Sequence, residues 1–391
     1  MLHGGGLYSS FAGAQPPGVF VIGTVLEAIH DSLEWLRFAV ACFQLGAGVI
    51  AGAMVLRITG SRVASILAVP LVLLTPWAVH EHGALTPELV ALPVLLGAAL
   101  AGAGADGGRG RLRGRGRGGS VLAGVLCGLL LLIKVPFVIP AIVVVGLSTD
   151  WRRAALWAVV VAVVGLALTW VLGGEGFWRD AVYAQTQSGS RTLGALKGFW
   201  AQALWNVIGL VVAAAIAVWL RVQAVDRRML RMLLGLAAAM IVTFLTNFKE
   251  GTGLNITVPI EAVLVPLAVT GTVFAVRSPR AWLIGGMCAV AWLFTLAQSV
   301  SLITSPKHAQ PFLRAGSSNA WYELMSASEL RAAVAAARRC PDEVPYSGAP
   351  LIAFAAGRPM PGGQPDTFII GHAPALHAFL GRVDAVARRC P

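Results

Sequence analysis

The chain has 391 residues, 57% of them hydrophobic and only 12% charged, with a mean hydropathy of +0.75. Repeated apolar runs at this composition exclude an ordinary soluble domain and indicate a polytopic membrane protein. The formal charge of +12 would suit a nucleic-acid binder, but cytoplasmic loops of membrane proteins also collect Arg and Lys, and the placement of the arginines favours that explanation.

The first 37 residues precede a chain made almost entirely of apolar spans, yet form none themselves. Met1 is followed by glycines and polar residues, without the basic and apolar segments of a removable signal peptide. After Pro16 and Pro17, about 13 mainly apolar residues precede His30, Asp31, Glu34 and Arg37, fewer than the ~20 needed to cross a bilayer core. The stretch therefore reads as an amphipathic helix lying along one membrane face.

Apolar runs follow at 38–56, 62–80, 88–103, 119–147, 152–173, 198–220, 230–247, 256–276 and 281–303. Arginines concentrate in alternate connections: Arg57 and Arg62, the Gly/Arg run at 104–118, Arg152 and Arg153, Arg221 to Arg231, and Arg277 and Arg280. With these inside, Asp106, Asp150 and Asp226 are the acidic residues on that face, a strong positive-inside bias. Residues 1–37 then lie outside. The run 119–147, basic at both ends, must enter and return as a re-entrant pair or as two short tilted helices broken at Lys134-Val135-Pro136. A rival topology makes 17–34 a short span and 119–147 one long tilted span.

The Gly/Arg run contains no aromatic residue for base stacking, so it reads as a solvated linker or a contact for anionic lipid headgroups. No phosphate-binding glycine loop is present. No nucleic-acid partner and no cytoplasmic nucleotide site are expected. The outer side collects Glu81, His82, Glu88, Glu175, Trp178, Arg179, Asp180, Tyr183, Arg191, Asn247, Lys249, Glu250 and Asn255. Lys134 and Glu261 fall within apolar runs, where ionisable groups are costly and mark function by default. The structural alternative is a mutual or backbone-satisfied pair, or a lysine reaching to the interface.

Residues 304–391 are polar enough for a small exported domain, with helices expected over 326–339 and 374–389. Cys42, Cys127 and Cys288 lie in apolar runs and read as small buried hydrophobes. Cys340 and Cys390, near either end of the exported segment, favour a disulfide over two unpaired thiols. No metal-ligand spacing is present. The fold class expected is an all-α polytopic transmembrane bundle with a small mixed α/β extracytoplasmic C-terminal domain. Its divisions are 1–37, 38–303 and 304–391.

The order of motifs resembles a known family. GLYxxFxxxQPPG at 6–18, an apolar stretch ending in Arg37, Thr86-Pro87-Glu88, GxLxxxKxP at 128–136, KxGxxxN at 249–255, and the trailing AGRPxP and PDTF resemble bacterial integral-membrane glycosyltransferases of the PMT/ArnT-like (glycosyltransferase 39-like) superfamily, with a GT-C architecture. The resemblance runs through most of residues 5–370. It implies a multi-pass enzyme of the bacterial plasma membrane. Such an enzyme transfers sugar from a polyprenyl-phosphate donor to a lipid, cell-envelope glycan or protein acceptor on the outer face, with membrane lipids around it.

The same resemblance places Tyr8, Gln15, Pro16 and Pro17 in the first outer loop and its surface helix, and Glu88 as an acidic, candidate catalytic residue of the second outer loop. Arg37, Lys134 and Lys249 become candidates for holding the donor phosphate, and Asn255 and Glu261 for lining the cavity. A divalent metal is a possible helper, with no ligand set evident. One departure stands out, because the first 26 residues contain no carboxylate where the family places its general base. That fits either a start downstream of the family's full first loop or a degenerate homologue. A transporter or a non-catalytic structural membrane protein are the alternatives from other classes.

Overall fold

The computed structural model describes residues 16–30, 32–80, 85–104, 113–183, 190, 192–246, 254–304, 314–315, 323–324, 327–339 and 356–358. The chain begins with α1 (Gly18–Ile29), α2 (Leu33–Thr59), α3 (Arg62–Leu73), α4 (Pro76–His80) and α5 (Pro87–Gly102). Helix α6 (Arg113–Ile133) leads through a 3-10 turn at Val135–Phe137 into α7 (Val138–Leu147) and α8 (Trp151–Gly173). A short α9 (Glu175–Phe177) runs into a π-helical turn at Trp178–Tyr183. Four long helices complete the bundle: α10 (Leu193–Trp219), α11 (Arg227–Leu245), α12 (Thr257–Val276) and α13 (Ala281–Thr304).

Among the described residues, six helical stretches are long and apolar enough to cross a bilayer: Glu34–Thr59, Trp151–Gly173, Leu193–Trp219, Arg227–Leu245, Thr257–Val276 and Ala281–Ser301. The protein is a multi-pass membrane protein built as an all-α bundle. Helix α1 rises only ~18 Å, well short of the ~30 Å core of a bilayer. It then turns back, with the Trp35 indole donating to the Leu26 carbonyl at 2.9 Å.

The expected break at 134–136 is present. Pro136 has no N–H to donate, and its ring would clash with the carbonyl four residues back if the helix continued, so α6 stops at Ile133. The Asp150 N–H donates to Ser120 Oγ at 3.0 Å, which brings the far ends of α6 and α7 together. The segment is therefore an antiparallel hairpin and not one long tilted span.

Hydrogen bonds gather the basic connections at one end of the bundle. The Arg57 guanidinium donates to Asp226 Oδ2 (2.9 Å from Nε) and to the carbonyls of Leu100 (3.3 Å) and Gly104. Arg277 donates to the Thr59 carbonyl at 2.9 Å, the Val225 N–H to the Ile58 carbonyl at 2.8 Å, and the Thr149 N–H to the Gly102 carbonyl at 3.0 Å. The ends of α2, α5, α7, α11 and α12 are thus tied at one pole, where last-turn carbonyls need donors.

Helix α12 is the axis of the bundle, with 89% of its spanning window buried, whereas α8 at 11% forms a rim. Two GxxxG pairs set close approaches between neighbouring helices. On α2, a Cβ at Gly48 or Gly52 would meet the Val69 or Ser65 carbonyl of α3 at 2.7 and 2.6 Å. On α6, a Cβ at Gly124 or Gly128 would meet the Ala154 or Ala158 carbonyl of α8 at 2.3 and 2.8 Å.

Cys127 and Cys288 are buried as expected, but Cys42 is exposed on α2. Its run is apolar because the helix faces lipid as well as protein, so hydropathy alone does not place a side chain inside. In the C-terminal segment, strands β1 (Arg314–Ala315) and β2 (Glu323–Leu324) pair antiparallel. Helix α14 (Ala327–Ala337) matches the helix expected there. The helix expected at 374–389, Cys340 and Cys390 lie outside the described residues.

Candidate functional site

The pole opposite the arginines carries a second buried ion pair. Thr86-Pro87-Glu88 starts α5 by local chemistry alone. Thr86 caps the helix by accepting from the Leu89 N–H at 3.4 Å, Pro87 occupies the first turn where no N–H is needed, and Glu88 sits where a helix favours negative charge. Lys134 is the residue at which α6 gives way to the 3-10 turn, with an extended backbone (φ −159°, ψ 127°). Its N–H still donates to the Leu130 carbonyl at 3.0 Å, and its own carbonyl accepts from the Phe137 N–H at 3.1 Å.

These two residues meet: Lys134 Nζ donates to Glu88 Oε1 in a close ion pair. The Lys134 partner is therefore Glu88 and not Glu261. The Glu88 side chain is 1% exposed and that of Lys134 16%, so the lysine is the member a ligand reaches first. Glu88 Oε2 is buried with no hydrogen-bond partner among the described residues. A buried carboxylate oxygen left open costs stability, and such exceptions need a reason.

Pro16 and Pro17 are buried, and the chain that follows them packs against the end of α6. A Cβ at Gly18 would lie 2.7 Å from the Leu132 carbonyl, so only glycine lets the start of α1 touch the end of α6. Farther along α1, Gly23 faces the Leu85 side chain just ahead of α5. Arg37, half-buried, projects from the first turn and a half of α2. Glu261 is fully buried near the start of α12, with half-buried Asn255 in the 3-10 turn before it. Tyr8, Gln15 and Lys249 lie outside the described residues, as do Glu81, His82, Arg191, Asn247 and Glu250.

Besides Asp226, the buried carboxylates outside the candidate site residues include Asp180. Asp180, fully buried in the π-helical turn, accepts from Arg179 Nε at 2.5 Å and from Nη2 at 3.2 Å. The signal was the Arg-Asp pair after an apolar span; its burial was not legible, because π-helical geometry has no clear sequence marker. No group of three or more His, Cys, Asp or Glu residues is placed to hold a metal among the described residues. Glu88 faces an ammonium where a cation would bind, so these residues do not fit a divalent ion.

No protein-family model matches the chain, and no curated protein is detectably similar to it in sequence. Solved structures are similar in shape. One is ArnT from Cupriavidus metallidurans bound to undecaprenyl phosphate, at 20% identity and a TM-score of 0.55, covering 94% of this chain and 68% of that one. The chain has a GT-C fold. A second GT-C structure is the archaeal oligosaccharyltransferase AglB from Archaeoglobus fulgidus, in complex with an inhibitory peptide and a dolichol-phosphate. It matches at 13% identity and a TM-score of 0.51, covering 98% of this chain and 62% of that one. The chain thus spans roughly three fifths to two thirds of the length of these GT-C proteins.

Proposed function

We propose that this protein is a membrane glycosyltransferase that moves a sugar from a polyprenyl-phosphate donor to a lipid, cell-envelope glycan or protein acceptor. The positive-inside rule puts the Arg57 end in the cytoplasm, and hence the Glu88–Lys134 pole and the C-terminal segment outside. The observation that carries the reading is that buried, half-satisfied ion pair, at the non-arginine pole of a GT-C fold.

In the transfer, the acceptor oxygen forms a bond to the anomeric carbon while the bond from that carbon to the phosphate oxygen breaks. The electron pair leaves with the polyprenyl phosphate, and the acceptor proton goes to a carboxylate. Lys134, the reachable member of the pair, takes the donor phosphate and offsets its negative charge. As it does so, its hold on Glu88 Oε1 slackens and the carboxylate is freed to take the acceptor proton. Binding of the donor thereby prepares the proton acceptor. Arg37 and Lys249 share the phosphate, while Tyr8, Gln15, Pro16, Pro17, Asn255 and Glu261 shape the cavity. A Cys340–Cys390 disulfide steadies the exported segment.

A transporter would show interrupted helices at corresponding places in both halves. Here the α6–α7 hairpin is interrupted, while α10, α11, α12 and α13 are each continuous. The test is sugar release or transfer from a radiolabelled polyprenyl-phosphate sugar by the purified full chain. Glu88→Gln is expected to lower the rate ~100-fold or more, the lower bound for losing a general base. Lys134→Met is expected to weaken donor binding as well as turnover. Wild-type rates in both variants would overturn the assignment.

A further inference from the structure

Lys134 stands at a joint whose hydrogen-bond ladder lacks a rung. In a continuous helix the Leu132 carbonyl would accept from the N–H four residues on, but residue 136 is a proline and has none. The joint keeps two bonds, from the Lys134 N–H to the Leu130 carbonyl at 3.0 Å and from the Phe137 N–H to the Lys134 carbonyl at 3.1 Å. Neither involves the Leu132 carbonyl, so the place of the last turn of α6 is left to packing.

Two neighbours supply that packing. On one side, Gly165 of α8 lies against the Leu132 side chain. On the other, the start of α1 covers the Leu132 backbone. A Cβ at Gly18 would lie 2.7 Å from the carbonyl oxygen and 3.1 Å from the Cα of Ile133, the residue before Lys134. The same helix reaches the approach to Glu88, since a Cβ at Gly23 would lie 3.4 Å from the side chain of Leu85, which leads into Thr86-Pro87-Glu88.

Helix α1 does not hold this place by itself. Isolated helices below ~12–15 residues are marginal, and α1 has 12 residues with no side-chain cap at its start. Its far end is pinned by the Trp35 indole on the Leu26 carbonyl at 2.9 Å. Trp35 is fixed in turn by Ser32, whose hydroxyl accepts the Trp35 N–H at 3.2 Å. Val19 is buried and Ile22 packs on the core, whereas Val21, Val25 and Ile29 are exposed, so one side of α1 alone meets the bundle. The helix is a strap, seated at one end on the segment that carries Lys134 and latched at the other to α2.

We propose that Gly18 is a positioning residue for the Glu88–Lys134 pair: by letting α1 seat on the last turn of α6, it fixes the height at which Lys134 leaves the helix and so keeps the ammonium on Glu88. It acts through Leu132 and Ile133. An alanine there must move the strap or the turn by roughly 0.6 Å to restore an ordinary C···O separation of about 3.3 Å. The consequence for donor binding rests on the transfer reading; the pairing itself is measurable without it.

The experiment is the double-mutant cycle of Lys134→Met and Glu88→Gln, read as melting midpoints of the full chain in detergent and repeated in Gly18→Ala and Gly48→Ala backgrounds. Gly48→Ala is the matched control, because a Cβ there would also lie 2.7 Å from a carbonyl, that of Val69, but at the α2–α3 contact. A purely structural clash lowers all four midpoints of a cycle alike and leaves the coupling between the two charges intact. Gly18→Ala is expected to shrink the coupling found in the parent chain, and Gly48→Ala to preserve it. An undiminished coupling in Gly18→Ala would overturn the proposal, as would an equal loss in Gly48→Ala. Should Gly18→Ala not fold, Trp35→Phe, which adds no bulk and removes the indole N–H, decides in the same way. Absence of coupling in the parent chain would also overturn it, without bearing on whether the chain transfers sugar.

Discussion

Arg57 serves three helices with one guanidinium, reaching Asp226 at the start of α11 and the carbonyls of Leu100 and Gly104 at the end of α5. Asp226 in turn caps α11 through the Met229 N–H at 2.8 Å. Arg57→Met strands a largely buried carboxylate and is expected to cost about 3 kcal/mol. Asp226→Asn keeps a capping oxygen and is expected to cost less, an order that thermal unfolding in detergent checks. The Glu88–Lys134 pair obeys the same logic: Lys134→Met alone should destabilise more than Lys134→Met combined with Glu88→Gln, because the double variant leaves no unpaired charge. A double-mutant cycle on the unfolding midpoint measures this coupling, and additive effects would mean that the pair is loose. Glu88 and Lys134 each stood out in the sequence, one through the Thr86-Pro87-Glu88 motif of the family resemblance and the other by its depth in an apolar run. That they meet was not legible, because 46 residues separate them and periodicity carries no information on which helix ends coincide.

At the scale of elements, backbone approach decides the packing. Gly128 lies against α8, where a Cβ would be 2.7 Å from Val161 Cβ and 2.8 Å from the Ala158 carbonyl, whereas Gly118 on the same helix has open space. Gly128→Leu should lower stability by about 1–3 kcal/mol through overpacking, and Gly118→Leu should leave it nearly unchanged. Comparing their melting midpoints separates a wedge effect from a general effect of added bulk. The hairpin of α6 and α7 was readable from Lys134-Val135-Pro136 and from the basic residues at both ends, since proline and charge act locally. The exposure of Cys42 and the burial of Asp180 were not, because both depend on which neighbours a helix acquires.

At the scale of the whole molecule, the two poles differ in charge and in chemistry. On a cysteine-free background, Gly194→Cys at the start of α10 should react with a membrane-impermeant thiol reagent in intact cells. Arg280→Cys, just before α13, should react only after permeabilisation. Reversal of the two would invert the orientation and remove the proposed outer site. The sequence by itself determined the class of molecule, the alternation of basic connections, the broken hairpin and the start of α5. These follow from hydropathy, charge and the local chemistry of proline and capping residues, each of which acts within a few residues. Only the tertiary structure decided that Lys134 pairs with Glu88 and not with Glu261, that α12 is the axis and α8 the rim, and that α1 packs on the end of α6. Those outcomes depend on long-range packing, in which glycines set how closely backbones approach.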